Sequence, residues 1–543
     1  MSKRECRGLW VVVLAVVLAL CGCSTPSLDE QVTPASLATK LSTIDTVQLT
    51  DHSVSEPLTI EQATEQIAQE VNEPNAPAEQ VTLTLEEVRA AVLANNLDLK
   101  IELVNPAIAE RNLDAERAKF ESLFYGSTQF STTQNTTTST AAESITSQVG
   151  IEKPLPTGGV IDVGLPFSLS DADPDGVSDA AASVSVVQSL WRGAGTRINT
   201  QSIRIAAHRS NIVSARTKLT AIWLLANADV TYWRLYAARK DLEVRREQYK
   251  LAQDQLSHAK KKVAAGSAPK IEIVLAEAGV SSRLEGVINA ETAVQDWSRE
   301  LRRLMNDDNL PLESQTEILP ATDPNPLGLD LDEQELVRRA LANRMDLAQL
   351  EQTLTIDDLN VELARDATRP DLTLSYTYAA RTRNTTVAEA FSDLTNHAGN
   401  SHAIGISATI PLGNRAARAR LQSARLTRIQ DQAARERLEQ IIRQEVYEAA
   451  SNLDQNWRRI LAAEQGVAAA LRDYQVQQSQ FQLGRRTSTD VLFAATRLAD
   501  AQLSRIRAFA DYEIAQINLA RATGTLLGYG RITLDPIDLD SAP

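Results

Sequence analysis

One stretch of this chain occurs twice. Leu93-Ala94-Asn95-Asn96-Leu97-Asp98-Leu99 recurs as Leu341-Ala342-Asn343-Arg344-Met345-Asp346-Leu347, five of seven residues identical at an offset of 248. Self-similarity at a fixed offset marks a repeated structural unit. The same ungapped offset lays Phe124-Tyr125-Gly126-Ser127 over Leu372-Thr373-Leu374-Ser375, where each copy changes from helical to strand periodicity. Within each copy the order reads helix, strand, loop, strand, very long helix, tip, helix. The fold must therefore build this arrangement twice.

The strands alternate cleanly in the second copy. Leu372, Leu374, Tyr376 and Tyr378 interleave with polar residues, as do Ile404, Ile406, Ala408 and Ile410, so one face is apolar and the other polar. A soluble sandwich shows the same alternation, and spacing alone leaves that alternative open. A single hairpin cannot hide its own apolar face, however, and about ten residues is the length of a membrane-crossing β-strand.

After each strand pair the period becomes seven. Ile198, Ile205, Ile212, Leu219, Ala226 and Trp233 form one series, with Trp223, Val230, Ala237, Val244 and Leu251 in a second. In the second copy the ladder is Val446, Leu453, Ile460, Val467, Tyr474 and Phe481, accompanied by Ala450, Trp457 and Leu471. This is coiled-coil spacing. No Pro interrupts residues 197–265 or 414–483, so each stretch can run unbroken for roughly 100 Å at about 1.5 Å per residue. Each ends in a Gly-containing tip, Ala264-Ala265-Gly266-Ser267-Ala268-Pro269 and Gln482-Leu483-Gly484-Arg485-Arg486-Thr487-Ser488-Thr489. Gly supplies a left-handed residue that stops a helix, and the chain then returns along itself through about 271–305 and 490–526.

Composition narrows the function. With 55 Lys+Arg against 70 Asp+Glu the net charge is −15, which excludes a polyanion binder that needs a basic footprint, so no nucleic-acid partner is expected. Aromatics make up 4% of the chain, which fits long aliphatic helix packing and not aromatic-lined pockets. A mean hydropathy of −0.22 rules out a polytopic helical membrane protein. It leaves a β-barrel open, because barrel strands are only half apolar.

Lys3, Arg4 and Arg7 precede the apolar run from Leu9 to Leu20. Such a run is shorter than the ~20 residues needed to span a bilayer and has the form of a secretory signal. Leu20-Cys21-Gly22-Cys23 resembles a bacterial lipobox, with Cys21 where Ala or Ser is usual. The resemblance implies that Cys23 is lipidated and that Ser24 after it directs the chain to the outer membrane; the alternative is ordinary cleavage nearby, leaving a free thiol. Cys6 and Cys21 leave with the signal, so no disulfide is possible in the mature chain. The expected division is a signal at 1–22, a lipidated, Pro-punctuated polar tether at 23–80, a first repeat at 81–310, a linker at 311–330, a second repeat at 331–528 and a tail at 529–543.

Three features together resemble the TolC-like outer membrane factor family, whose members are exit ducts of tripartite efflux pumps and type I secretion systems. They are the duplication, the junction Val184-Ser185-Val186-Val187-Gln188-Ser189-Leu190-Trp191-Arg192-Gly193-Ala194-Gly195, with Ser189 where Pro is common, and the turn Phe481-Gln482-Leu483-Gly484-Arg485-Arg486-Thr487-Ser488-Thr489-Asp490-Val491-Leu492. The resemblance covers roughly residues 83–528. It implies an α+β, mostly α fold: tandem coiled-coil hairpins forming a periplasmic α-barrel, with strands contributing to one outer-membrane β-barrel shared by a homotrimer. The implied partners are outer-membrane lipid, a periplasmic adaptor protein and, indirectly, an inner-membrane pump, with no catalysis and no cofactor.

By the same resemblance, Asp490 and Glu272 take the place of an acidic ring at the periplasmic mouth. Arg486 takes the place of a basic residue that holds the mouth shut, and Phe493 stands where the family has a second acidic group. Acidic residues in a first helical turn are equally good partners for the helix dipole. Gly266, Ser267, Leu483, Gly484, Arg485 and Thr487 would face the adaptor, or the glycines would serve only the turn. Between the first copy's strands, Ile161, Val163, Leu165, Phe167 and Leu169 alternate after Pro156-Thr157-Gly158-Gly159. This insertion either adds a hairpin to the barrel or lies above it as an extension, and Pro154 and Pro166 weigh against membrane strands because each removes a ladder donor.

Enzyme signatures are missing: there is no His-Glu-x-x-His, no Gly-x-Ser-x-Gly and no phosphate loop, and His52, His208, His258, His397 and His402 lack ligand spacing. The remaining rival is a lipid-anchored periplasmic coiled-coil scaffold or adaptor without a pore.

Overall fold

The computed structural model describes Gln69 and residues 79–135, 140–170, 177–384, 386–396, 398–483 and 485–529. The expected signal, Cys23, nearly all of the tether, most of the tail and Gly484 lie outside the described residues. In chain order the elements are β1 (Gln80–Leu83), α1 (Leu85–Asn95), α2 (Leu97–Arg117), β2 (Leu123–Asn135), β3 (Thr140–Pro154), β4 (Gly159–Ser170), β5 (Val177–Ser189), α3 (Thr196–Asn199), α4 (Gln201–Ala264), α5 (Ile271–Met305) and β6 (Glu317–Pro320). The second half runs α6 (Glu333–Asn343), α7 (Met345–Asp366), β7 (Asp371–Asn384), α8 (Val387–Asn396), β8 (Gly399–Thr409), α9 (Arg415–Gln482), α10 (Ser488–Ala522) and α11 (Leu526–Tyr529). An offset of 248 carries the first residues of α1, α2 and β2 onto those of α6, α7 and β7.

The repeated heptapeptide is a helix break. Asn96 and its counterpart Arg344 both leave helical backbone, at ψ 127° and ψ 121°. Asn96 accepts from the Leu99 amide at 3.0 Å and donates to the Leu304 carbonyl at 2.9 Å, so one buried side chain caps α2 and ties it to the end of α5. Arg344 reaches the Ala522 carbonyl near the end of α10 at 3.4 Å and pairs with Asp346 and Glu445 at 2.7 and 2.6 Å. Different chemistry thus closes each repeat at the same place.

The long helices match the heptad reading within a few residues. α4 has 64 residues and α9 has 68, giving each about 100 Å of length. Their return helices have 35 residues apiece, so each covers only the half of its long helix nearest the tip. Nearer the sheet, α2 packs on α4, α4 on α7 and α7 on α9. Leu224, Leu225, Tyr232 and Leu235 of α4 form one core with Val88, Val92 and Leu99 and with Val287, Leu301 and Leu304 of α5. Ile442, Val446, Leu453 and Ile460 of α9 form another with Tyr512 and Leu519 of α10. Between α1 and α4, Arg89 grips the fully buried Asp229 with two hydrogen bonds, at 2.8 and 2.7 Å. Burial pushes the Asp229 carboxyl up, and the hydrogen bonds and charge of Arg89 oppose it.

Six strands form one antiparallel sheet in the order β2-β3-β4-β5-β7-β8. The insertion in the first repeat therefore joins the sheet. Ile151 pairs with Val163 and Val163 with Val184, in one continuous register. Pro166 is accommodated because the β4 ladder to β5 skips Leu165 and Pro166, while the ladder to β3 continues through both. Pro154 sits at the last position of β3, opposite Val160. The segment between the repeats, expected as a linker, contributes β6, which pairs parallel with β1.

Where α7 meets α9, Asp357 is 7% exposed with one carboxylate oxygen unpartnered. Burial and the neighbouring carboxylates of Asp431 and Asp358 push its pKa up to about 6, opposed by Arg428. A folded pKa above the unfolded value means that the native state holds the extra proton, so stability is greatest below about pH 4 for this group and falls as pH rises through 6. Asp357→Asn is accordingly expected to raise the melting temperature at pH 7.5 and leave it nearly unchanged at pH 4. Thermal unfolding at the two pH values checks this.

Candidate functional site

Two regions carry the chemistry: the helical tips and the two-faced sheet. Both tips close in the same way. At the first, the Ser267 amide donates to the Lys262 carbonyl at 2.9 Å and Gly266 adopts φ +68°, the six-to-one bond and left-handed residue that end a helix. At the second, the Arg485 amide donates to the Gln480 carbonyl at 2.9 Å. The two tips touch, with the Lys262 ammonium 4.5 Å from the centre of the Phe481 ring, a cation–π contact.

Asp490 has a defined local task. Its Oδ2 accepts from the Thr487 amide at 3.0 Å and the Thr487 hydroxyl at 2.8 Å, and its own amide donates back to Thr487 Oγ1 at 3.3 Å. This reciprocal box starts α10. The same bonds from Thr487 hold the carboxyl below the usual carboxylate range, helped by the charge of Arg486. Arg486 itself donates to Gln480 Oε1 at 3.1 Å. Glu272 lies in the first turn of α5, its amide donating to the Pro269 carbonyl at 3.1 Å. Within one chain, then, Asp490 and Arg486 share a tip, and Glu272 occupies the adjoining one.

Gly266, Ser267, Arg485 and Thr487 are exposed at these turns, and Leu483 and Phe493 stand out as exposed apolar side chains. Ile271, Val274 and Leu275 at the start of α5 are equally exposed and were not singled out in the sequence. Their signal was an apolar cluster at helical spacing lying off the heptad ladder, which leaves it facing away from the chain's own core.

The sheet divides its residues by face. One face carries Phe124 and Phe130 of β2, Val149 and Ile151 of β3, Ile161, Val163, Leu165, Phe167 and Leu169 of β4, Val184 and Val186 of β5, Tyr376 of β7 and Ile404 and Ile406 of β8. The other carries Tyr125, Gln148 and Asp162, joined by hydrogen bonds of 2.7 and 2.8 Å, with Ser185, Thr377, Arg381 and Arg383. Five apolar residues in a row on one face of β4 span about 26 Å of strand at ~3.3 Å per residue, close to the ~25 Å apolar band of a membrane barrel. No helix among the described residues is long and apolar enough to cross a membrane.

Residues 336–525, running from α6 through α10, match the model of the outer membrane efflux protein family. That stretch of the chain carries the family's pattern. The family is one of outer membrane efflux proteins. The outer membrane efflux protein BepC of Brucella suis is 23% identical over 370 residues, covering 66% of this chain and 74% of that protein. The fold is shared with CmeC, the outer membrane channel of Campylobacter jejuni, at a TM-score of 0.64 and 15% identity, over 81% of this chain and 86% of that one. It is shared also with CusC, at 0.62 and 16%, over 83% and 95%. The first repeat lies outside the family match.

Proposed function

We propose that three copies of this chain assemble into one exit duct of a tripartite efflux or type I secretion system, a passive conduit crossing the outer membrane through the sheet and the periplasm through the helical hairpins. The observation that carries this is the continuity of a two-faced antiparallel sheet with two helical hairpins whose long arms each run about 100 Å. In lipid every backbone polar group must be satisfied internally, so a sheet with an apolar face and two open edges has to be closed by further copies. CusC is described in terms of transmembrane channel formation and CmeC as an outer membrane channel, which supports the same assembly here.

The tips are the periplasmic end. Asp490 and Glu272 supply negative charge around the mouth, Arg486 links adjacent coils, and Phe493 adds an apolar constriction that gates by dewetting. The exposed Leu483, Arg485, Thr487, Gly266 and Ser267, with Gly484, offer the docking surface for an adaptor protein, through which an inner-membrane pump supplies the energy. Cys23 carries the lipid that anchors the tether. Extraction of outer membranes in mild detergent followed by native mass measurement tests the assembly: a trimer is expected, and a monomer found with the periplasmic fraction would favour the scaffold reading.

A further inference from the structure

Resting on the reading of this chain as a shared membrane duct, we propose that the wall is an eighteen-stranded barrel, six strands from each of three copies, in which β8 of one copy pairs antiparallel with β2 of the next. The interface continues below the sheet as α9 of the first copy against α2 of the second.

The two edges of the sheet are built for each other. β8 is exposed along its whole length, and the apolar face reaches both edges, through Ile404 and Ile406 on β8 and Phe124 and Phe130 on β2. Every neighbouring pair in the sheet is antiparallel. With an even number of strands, β2 and β8 run in opposite directions, so closure between copies continues the pattern without a parallel join. Each edge strand also belongs to a helix with an uncovered apolar stripe. α2, which leads into β2, exposes Leu97, Ile101, Val104 and Ile108 by 58%, 67%, 42% and 53%, a four-three-four spacing typical of a coiled-coil contact. α9, which leaves β8, exposes Leu426, Tyr447 and Leu461 in one heptad phase. Ile108 lies 15 residues before β2 begins and Leu426 lies 17 residues after β8 ends, so the two stripes start at about the same depth beneath the sheet, with that of α9 running on deeper.

The widths agree as well. Below the sheet each copy presents four helices side by side, α2, α4, α7 and α9, about 38 Å across at ~9–10 Å per helix. Six strands spaced by ~4.8 Å and tilted by ~40° also cover about 38 Å of perimeter, whereas four cover about 25 Å.

The chain has no cysteine beyond Cys23, so engineered pairs report cleanly. Ser127→Cys on β2 would be combined in turn with Ser401→Cys, Ala403→Cys and Ser407→Cys on β8, all on the polar face. Ser168→Cys on β4 with the same three partners forms the comparison. Each variant is first shown under reducing conditions to give the parent's native mass, then mildly oxidised in outer membranes. The expected result is a disulfide-linked trimer from one β2–β8 register and none from any β4–β8 pair. Cross-linking through β4 in a protein that is still trimeric would overturn the eighteen-stranded wall while leaving the duct intact, as would a trimer that cross-links through neither. A monomer with an internal β2–β8 disulfide would overturn both.

Discussion

Arg89→Ala is expected to lower the stability of the first repeat by about 3–5 kcal/mol, because removing one partner of a buried ion pair leaves the other charge without compensation. Asp229 is fully buried and receives both guanidinium hydrogen bonds. No water or second cation replaces Arg89 easily between α1 and α4, where Leu224, Leu225, Ala228 and Tyr232 crowd the same stretch of helix. The expected observation is a chain that no longer reaches the outer membrane in folded form. The double variant Arg89→Met with Asp229→Leu should recover most of the loss, since apolar replacement of both partners removes the uncompensated charge. Denaturant unfolding of the solubilised protein checks both, and equal losses in the single and double variants would show that the pair's charge balance is not what matters.

Leu165→Arg should have the second large effect. Leu165 sits midway along the apolar face of β4, among Val163, Phe167 and Val149. An Arg facing lipid near the bilayer midplane costs about 2–4 kcal/mol, and a trimer would incur it three times. Ser185→Arg places the same charge on the opposite face, paired across the ladder with Asp162, and should be tolerated. Outer-membrane yield of heat-resistant trimer separates the two variants. Comparable loss in both would mean that the polar face is not the lumen.

Much of this architecture could be read from the sequence, and particular residues show where the reading stopped. Heptad counting located α4 and α9 because a coiled coil repeats one local rule for its entire length. The same rule could not say what covers each position. Trp223 falls in the heptad ladder yet is 57% exposed, because the ladder marks an apolar side without telling a contact within the chain from one with a neighbouring copy. Residues 161–169 alternated clearly, but Pro154 and Pro166 argued against a membrane strand. The pairing that admits both prolines to the sheet, with Pro166 at a gap in one ladder only, is a long-range property of register. At the tips, Asp490 does sit in the first turn of α10 as a partner for the helix dipole, and the structure adds the capping box that it forms with Thr487. A gate, by contrast, requires groups from several copies, and no single chain contains that geometry.

Single-channel recording tests the duct most directly. The purified mature protein, as the native chain and as the double variant Asp490→Ala with Arg486→Ala, would be reconstituted into planar bilayers after confirming a folded trimer. Discrete conductance steps are predicted, larger or more frequently open in the double variant, because on the proposed reading Asp490 supplies charge at the periplasmic mouth and Arg486 links adjacent coils there. Silence from folded trimers of both forms would contradict the account, since a closed mouth explains silence only in the native chain.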